Sequence, residues 1–252
     1  MKVESSVAIV SGGNRGIGEA FVHALLDAGA AKVYIGTRKI AAADHLVEQY
    51  AERVAAVELD VTDETSVQTA ARNCADCTIV INNAGAFLNE TLIGAGNLNA
   101  ARQEMAVNYF GVLAMCQQFA PVLANNGGGA IVNVLSAGAI VAVPNMGGYC
   151  PSKFAARALT TSVRAELAEQ NTQVQCLIVG SVDTDMAAHV QGRKEPPAAI
   201  AKAGIKAIEK NIPEMDTDPF AVNVRAAMAR DPAHLEKQMA AMLHAKSIST
   251  GR

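Results

Sequence analysis

Short apolar runs rich in Val, Ile and Ala recur at 7–10, 32–35, 54–59, 78–81, 130–135 and 174–179. Each has the length of a strand buried on both faces, where apolar residues need not alternate with polar ones. Between them, at 17–28, 41–51, 64–74, 99–124 and 150–169, Ala and Leu return at helical spacing. Strand and helix alternate as far as residue 179, which predicts a parallel sheet with helices on both faces and right-handed crossovers. Such a sheet takes its ligands beyond the carboxyl ends of its strands.

After 179 the rhythm changes. Gly180, Gly192, Pro196 and Pro197 punctuate a polar stretch that predicts a substrate loop or lid over about 180–212. Helical spacing then covers 198–210, 218–229 and 232–245, with Asp218-Pro219 and Asp231-Pro232 as start signals. The tail 247–252 is expected to fray. No repeat or linker divides the chain, so 1–252 reads as a single doubly wound, Rossmann-type α/β domain with a helical C-terminal end and no evident seventh strand.

Composition narrows the function. With 252 residues, 50% of them hydrophobic, one core suffices, and 4% aromatics with no Trp make that core aliphatic. A net charge of -3 and the lack of any Lys/Arg run argue against nucleic acid as a partner. No apolar run reaches the roughly 18 residues of a membrane span, and the first residues carry no signal-peptide pattern, so a cytoplasmic protein is expected. The 5 cysteines are odd in number and scattered, which fits reduced thiols. Cys74-Ala75-Asp76-Cys77 has metal or redox spacing, but no second pair and no nearby His completes it. The plain reading is the packed end of a helix, and no metal is expected.

The chemistry begins at Ser11-Gly12-Gly13-Asn14-Arg15-Gly16-Ile17-Gly18, between the first strand and the first helix. Glycines there let the backbone turn tightly and approach a pyrophosphate, and the free N–H groups of the helix start favour the anion. Gly12, Asn14, Arg15, Gly16, Ile17 and Gly18 are therefore candidate cofactor contacts. The spacing is G-x-x-x-G-x-G, not the common G-x-G-x-x-G. At the end of the second strand, where many NAD-binding proteins place an acid for the ribose 2′-OH, stands Arg38. Arg15 and Arg38 together would grip a 2′-phosphate, so NADP(H) is favoured over NAD(H). The bland reading of either guanidinium is a solvated surface charge.

Tyr149 and Lys153 stand at i, i+4 in Tyr149-Cys150-Pro151-Ser152-Lys153, with Ser136 upstream at the end of an apolar run. On one helix that spacing puts phenol and ammonium on the same face. A free phenol, with a pKa near 10, needs a neighbouring cation to act as a base, and Lys153 would supply it. Taken singly, Ser136 reads as a turn residue and Tyr149 as a packing residue.

The glycine spacing, Asn82-Asn83-Ala84-Gly85, Asn108 in Asn108-Tyr109-Phe110-Gly111, Ser136 and the pentad from Tyr149 to Lys153 occur in the order seen in short-chain dehydrogenases/reductases. The chain resembles that family over about 5–185. The resemblance implies a nicotinamide cofactor and a catalytic tetrad of Asn108, Ser136, Tyr149 and Lys153. Tyr149 would exchange a proton with the substrate oxygen, Ser136 would hold that oxygen, Lys153 would also reach the nicotinamide ribose, and Asn108 would hold a water leading to Lys153. It further implies that Asp60 and Val61 lie against the adenine, that Asn82, Ala84 and Gly85 line the ribose and diphosphate, and that Val182 and Thr184 contact the carboxamide and diphosphate. Asn82 would also brace the central sheet.

Two departures qualify the match. The family's Pro-Gly before the 182–184 segment is Val179-Gly180 here, which would loosen the loop, and the Gly-rich last strand is missing. That loss puts the familiar homotetramer in doubt and leaves a homodimer through 99–124 and 149–170. Phe87, Leu88, Ala137, Val143, Met146 and Met186 would form an apolar substrate wall, with His189 and Arg193 near any polar group. The expected function is an NADP(H)-dependent alcohol dehydrogenase or carbonyl reductase for a small hydrophobic alcohol or ketone. The alternatives are a cofactor-binding regulatory or scaffold protein without turnover and a redox-neutral epimerase or dehydratase.

Overall fold

The computed structural model of the chain describes residues 1–248. β1 (Val7–Ser11) leads through the glycine turn into α1 (Gly16–Asp27), and the alternation continues with β2 (Lys32–Thr37), α2 (Asp44–Tyr50), β3 (Val54–Glu58), α3 (Glu64–Asn73) and β4 (Ile79–Asn82). The second half runs α4 (Asn99–Met105), a π-helical segment (Ala106–Gly111), α5 (Val112–Asn125), β5 (Gly129–Val134), α6 (Tyr149–Glu166), β6 (Thr172–Ile178), α7 (Pro197–Lys210), β7 (Glu214–Asp216), α8 (Pro219–Arg230) and α9 (Pro232–Ile248). The strands form one parallel 7-stranded sheet in the order β3-β2-β1-β4-β5-β6-β7. Strand order reverses between β1 and β4, and a crevice opens there at the carboxyl ends.

The strands feed two cores by simple alternation. Val10, Ile35, Ile81 and Val132 pack under Phe21 and Leu25 of α1 and Ile200 and Ile208 of α7. Ile9, Val80 and Ile131 pack under Met115 and Phe119 of α5 and Leu159 of α6. Burial on both faces holds for β4 and β5 but not for β3, an edge strand with Glu58 exposed. Gly204 of α7 stands directly on the Phe21 ring, which lets α7 pack close to α1. Of the stretch 180–212, the helical part is thus a layer of the core, and the irregular part before it stands over the strand ends.

Three features differ from the sequence reading. A seventh strand exists, with Cys176 opposite Glu214 and Ile178 opposite Asp216. Its residues, Glu-Met-Asp, carry no β-branched signal; two arginines hold them. Arg157 donates to Glu214 at 2.8 and 2.7 Å, and Arg225 donates to Asp216 at 2.6 and 2.7 Å. Burial pushes the Glu214 carboxyl up, but the Arg157 bond and charge, with Cys176 and Arg225, bring it down to about 2. Second, Asn99–Asn125 is one continuous 27-residue helical rod, long and apolar enough by length and composition to cross a membrane. Met115, Phe119 and Leu123 seat it on the sheet instead. Third, α9 continues through Ile248, and 249–252 lie outside the described residues.

The loop after β6 is anchored despite the missing proline. Gly180 N–H donates to Asp218 Oδ2 at 2.7 Å, and the other carboxylate oxygen caps α8 through Ala221 N–H at 3.0 Å. Asp218 is buried, so its removal strands both donors. Asp218→Ala is expected to cost about 2–3 kcal/mol, read as a fall of about 5–10 °C in Tm by calorimetry. An unchanged melt would show that water replaces the carboxylate.

Candidate active site

The glycine turn is held by partners far along the chain. Gly12 N–H bonds to Gly36 O at 2.8 Å. Ser11 Oγ accepts from Asn83 N–H at 3.0 Å and Ala84 N–H at 3.1 Å, while the Asn83 amide donates to Ser11 O at 3.0 Å and Gly12 O at 3.1 Å. The ends of β1 and β4 are thereby locked side by side. Asn83 and Ser11 were absent from the sequence candidates, although the Asn82-Asn83 doublet was the visible signal.

Whether this turn suits a dinucleotide is decided by its glycines. Gly12 and Gly16 have φ of 63° and 58°, in the left-handed region. A Cβ on Gly18 would collide with the Gly12 carbonyl, and one on Gly12 would lie 3.3 Å from Ala84 Cα. The cradle is therefore closed to side chains and open to a phosphate at the start of α1, which fits the cofactor. Asn14 and Ile17 are half-buried in the turn and Arg15 is exposed.

The remaining cofactor candidates surround the same crevice. Arg38 is exposed at the end of β2. Asp60 Oδ1 accepts from Thr62 at 2.9 and 2.7 Å, and those bonds, with the Arg38 charge and against burial, hold its carboxyl below the usual value. Val61 is buried. Asn82 donates to Asn133 Oδ1 at 2.8 Å, joining β4 to β5, and so faces the sheet. Val182 is buried and bridges to Glu195, so the excursion between them is a loop with pinned ends. Thr184 stands over the turn, its Cγ2 3.2 Å from where a Gly16 Cβ would be. Arg15 donates to Asp185 Oδ2 at 2.9 Å, an ion pair between the turn and this loop that the sequence did not announce.

Ser136 follows β5 and Tyr149 opens α6. Their side chains converge on Gly138, where a Cβ would lie 3.4 Å from Ser136 Oγ and 3.6 Å from Tyr149 Cε1. Ser136 Oγ also accepts from Gly138 N–H at 3.1 Å. Lys153 is buried, donates to Val134 O at 3.0 Å and lies 5.6 Å from the Tyr149 ring centroid. Gly85 leaves room beside it: a Cβ there would meet Asn108 Oδ1 at 3.4 Å and Lys153 Nζ at 3.9 Å.

Burial works against one expectation. Lys153 was expected to lower the phenol, yet burial pushes Tyr149 up to about 12, with the Ser136 hydrogen bond opposing. Burial also lowers Lys153 to about 8, because its one hydrogen-bond partner is a carbonyl and not a carboxylate. At neutral pH the pair is a protonated phenol beside a charged but weakened ammonium.

Asn108 occupies the centre of the π-helical segment, where the widened turn points its amide at the strand ends. Its Oδ1 accepts from Ala86 N–H at 2.9 Å, and its Nδ2 donates to Ala86 O and Ser152 Oγ at 2.9 Å each. Ser152 in turn donates to Tyr149 O at 2.6 Å. Asn108 thus ties the segment after β4 to the first turn of α6.

Of the substrate-wall candidates, Phe87 meets Tyr149 edge-on at 5.2 Å, and His189 packs on Phe87 at 5.1 Å. Ala137 is buried, Val143 and Met146 are half-buried, and Leu88 and Met186 are exposed at the mouth. Arg193 is turned away to Glu195 at 3.1 Å.

A phosphate cradle at a strand-order reversal, opposite a half-buried phenol, defines a Rossmann-type nucleotide-dependent oxidoreductase. The short chain dehydrogenase family profile matches residues 6–195. A 3alpha-hydroxysteroid dehydrogenase of Mediterraneibacter gnavus is 31% identical over 221 residues, covering 84% of each chain. A galactitol 2-dehydrogenase (L-tagatose-forming) of Cereibacter sphaeroides is 33% identical over 201 residues, 77% of this chain and 78% of that one. The crystal structure of a short chain dehydrogenase from Burkholderia cenocepacia in complex with NADP superposes with a TM-score of 0.90 at 38% identity, covering 95% of this chain and 99% of that one. The chain belongs to the short-chain dehydrogenase/reductase family and is an NAD(P)-dependent oxidoreductase acting on the CH–OH group of a small-molecule substrate.

Proposed function

We propose that this protein is an NADP(H)-dependent carbonyl reductase or alcohol dehydrogenase for a small hydrophobic substrate, with Tyr149 as its proton donor and acceptor. The observation that carries this reading is the Tyr149 phenol, held protonated by burial, converging with Ser136 beneath the apolar Phe87. A bound nicotinamide supplies the hydride in reduction and takes it up in oxidation. In reduction Tyr149 gives its hydroxyl proton to the substrate oxygen, which Ser136 holds by a hydrogen bond; in oxidation the proton returns. Lys153, beside the open face of Gly85, binds the ribose and supplies a positive field to the phenol. Asn108 fixes the start of α6 and the segment carrying Phe87 relative to each other.

The 2′-phosphate would lie between Arg15 and Arg38, and the NADP bound by the Burkholderia relative supports that choice. Gly12, Gly16 and Gly18, with Asn14 and Ile17, would line the diphosphate, and Ala84, Gly85, Val182 and Thr184 would complete the crevice. Following NADPH oxidation over a panel of ketones, aldehydes and quinones tests the reading. Cofactor binding without turnover would favour a regulatory protein, and substrate conversion without net NADPH loss would favour an epimerase or dehydratase.

The outward faces of α5 and α6 support a homodimer. Phe154 on α6 and Phe110 in the π-helical segment before α5 are exposed there, beside a shallow depression lined by Tyr109, Leu113, Ala155 and Ala158. Light scattering should find a dimer for the native chain and a monomer for Phe154→Glu; a native monomer refutes this assembly.

A further inference from the structure

Glu104 is a buried carboxyl that neither hydride transfer nor cofactor binding uses. It stands on α4 one turn before Asn108 and is 1% exposed. Its Oε1 accepts from Leu88 N–H at 2.8 Å. Its Oε2 is buried without a partner and faces Gly148, where a Cβ would come within 2.6 Å of it. Gly148 immediately precedes Tyr149 at the amino end of α6, the positive end of a helix dipole. Beside this contact, Gly147 N–H donates to Glu90 O at 2.8 Å, which fastens the segment carrying Phe87 and Leu88 to the start of α6.

An apolar side chain would fill this position without the desolvation cost of a carboxyl. We propose that Glu104 is a positioning residue for the reaction: it holds the Phe87–Leu88 wall against the start of α6, and its carboxylate opposes a second negative charge on the adjacent Tyr149 phenol. The proposal rests on Tyr149 being the proton donor.

The groups facing Glu104 are few. Glu90 lies in the loop, and Tyr149 and Cys150 on α6. Among the described residues no cation pairs with Glu104: Arg102 forms no ion pair with it, and Lys153 donates to Val134 O. Burial raises the carboxyl, Leu88 N–H opposes this and Glu90 adds to it. Glu104 in turn pushes up both the Tyr149 phenol and the Cys150 thiol. Once ionised, its negative charge, with no paired cation among the described residues, opposes a second one forming on the phenol.

The test uses Glu104→Gln, which keeps an acceptor for Leu88 N–H and removes the charge, and Glu104→Leu, which removes both. The Tyr149 phenolate is titrated by ultraviolet absorbance in the NADP⁺ complex, with Tyr149→Phe subtracted. In parallel, the pH profiles of kcat/KM are measured in both directions. The phenolate midpoint should fall by about half a unit to one unit in both variants, with the pH limbs moving together. Only Glu104→Leu should also raise KM, by about threefold or more, because the wall loses its tie. If either variant fails to fold, the other still reads the charge. A midpoint and limbs that coincide with the native protein overturn the proposal. Because the absorbance titration needs no turnover, it reads the effect of Glu104 on the phenol even if the substrate panel or Tyr149→Phe refutes the catalytic reading.

Discussion

Tyr149→Phe is expected to lower kcat about a thousandfold while the Kd for NADPH stays within about threefold. The proposed role gives the hydroxyl a transferable proton at the substrate oxygen, and burial raises it to about 12, which keeps it protonated at neutral pH. Phe retains the ring, and with it the edge-on contact to Phe87 at 5.2 Å, so the wall and the start of α6 should keep their shape. What disappears is a proton at a fixed position, an effect on the transition state more than on binding. Stopped-flow hydride transfer and fluorescence titration of NADPH separate the two. Turnover within tenfold of native would remove Tyr149 from the chemistry. A comparable loss in cofactor affinity would mean that its main task is to hold the nucleotide.

The parts of this site that were legible in sequence are those written in contiguous residues. The glycine turn follows a strand and starts a helix, and its backbone demands glycine at Gly12 and Gly16, where φ is positive. Tyr149 and Lys153 share a face because helical geometry makes i and i+4 neighbours. The illegible parts come from chain separation or side-chain choice. β7 was invisible because its Glu214 and Asp216 are held by arginines of α6 and α8 and not by β-branched packing. The π-helical turn around Asn108 was invisible because 99–124 keeps ordinary helical spacing and carries no glycine or proline before Gly111. The upward push that burial gives Tyr149 could not be read either, because it comes from segments distant in the chain. The burial of Glu104 could not be read because Leu88 and Gly148, which close over it, lie elsewhere in the chain.

Arg38→Asp is expected to raise the Kd for NADPH about a hundredfold and to leave that for NADH within about threefold. A guanidinium bound to phosphate by charge-assisted bonds contributes roughly 1.5–3 kcal/mol, and reversing the charge adds repulsion. Arg38 already acts on Asp60, at the end of the crevice proposed for the adenosine. Arg15 begins from a different state, since its guanidinium is paired with Asp185 at 2.9 Å. Their side chains are 70% and 84% exposed, so the pair is worth well under about 1 kcal/mol and yields readily to a phosphate dianion. Arg15→Ala should therefore weaken NADPH by a smaller factor, about tenfold. Asp185→Asn should tighten NADPH by up to about threefold, because the phosphate no longer competes for the guanidinium. Fluorescence titration of both nicotinamides against the native chain and these variants decides the matter. A native chain that prefers NADH would refute the two-arginine clamp. An Asp185→Asn chain with weakened NADPH binding would mean that the ion pair presents Arg15 to the phosphate and does not compete for it.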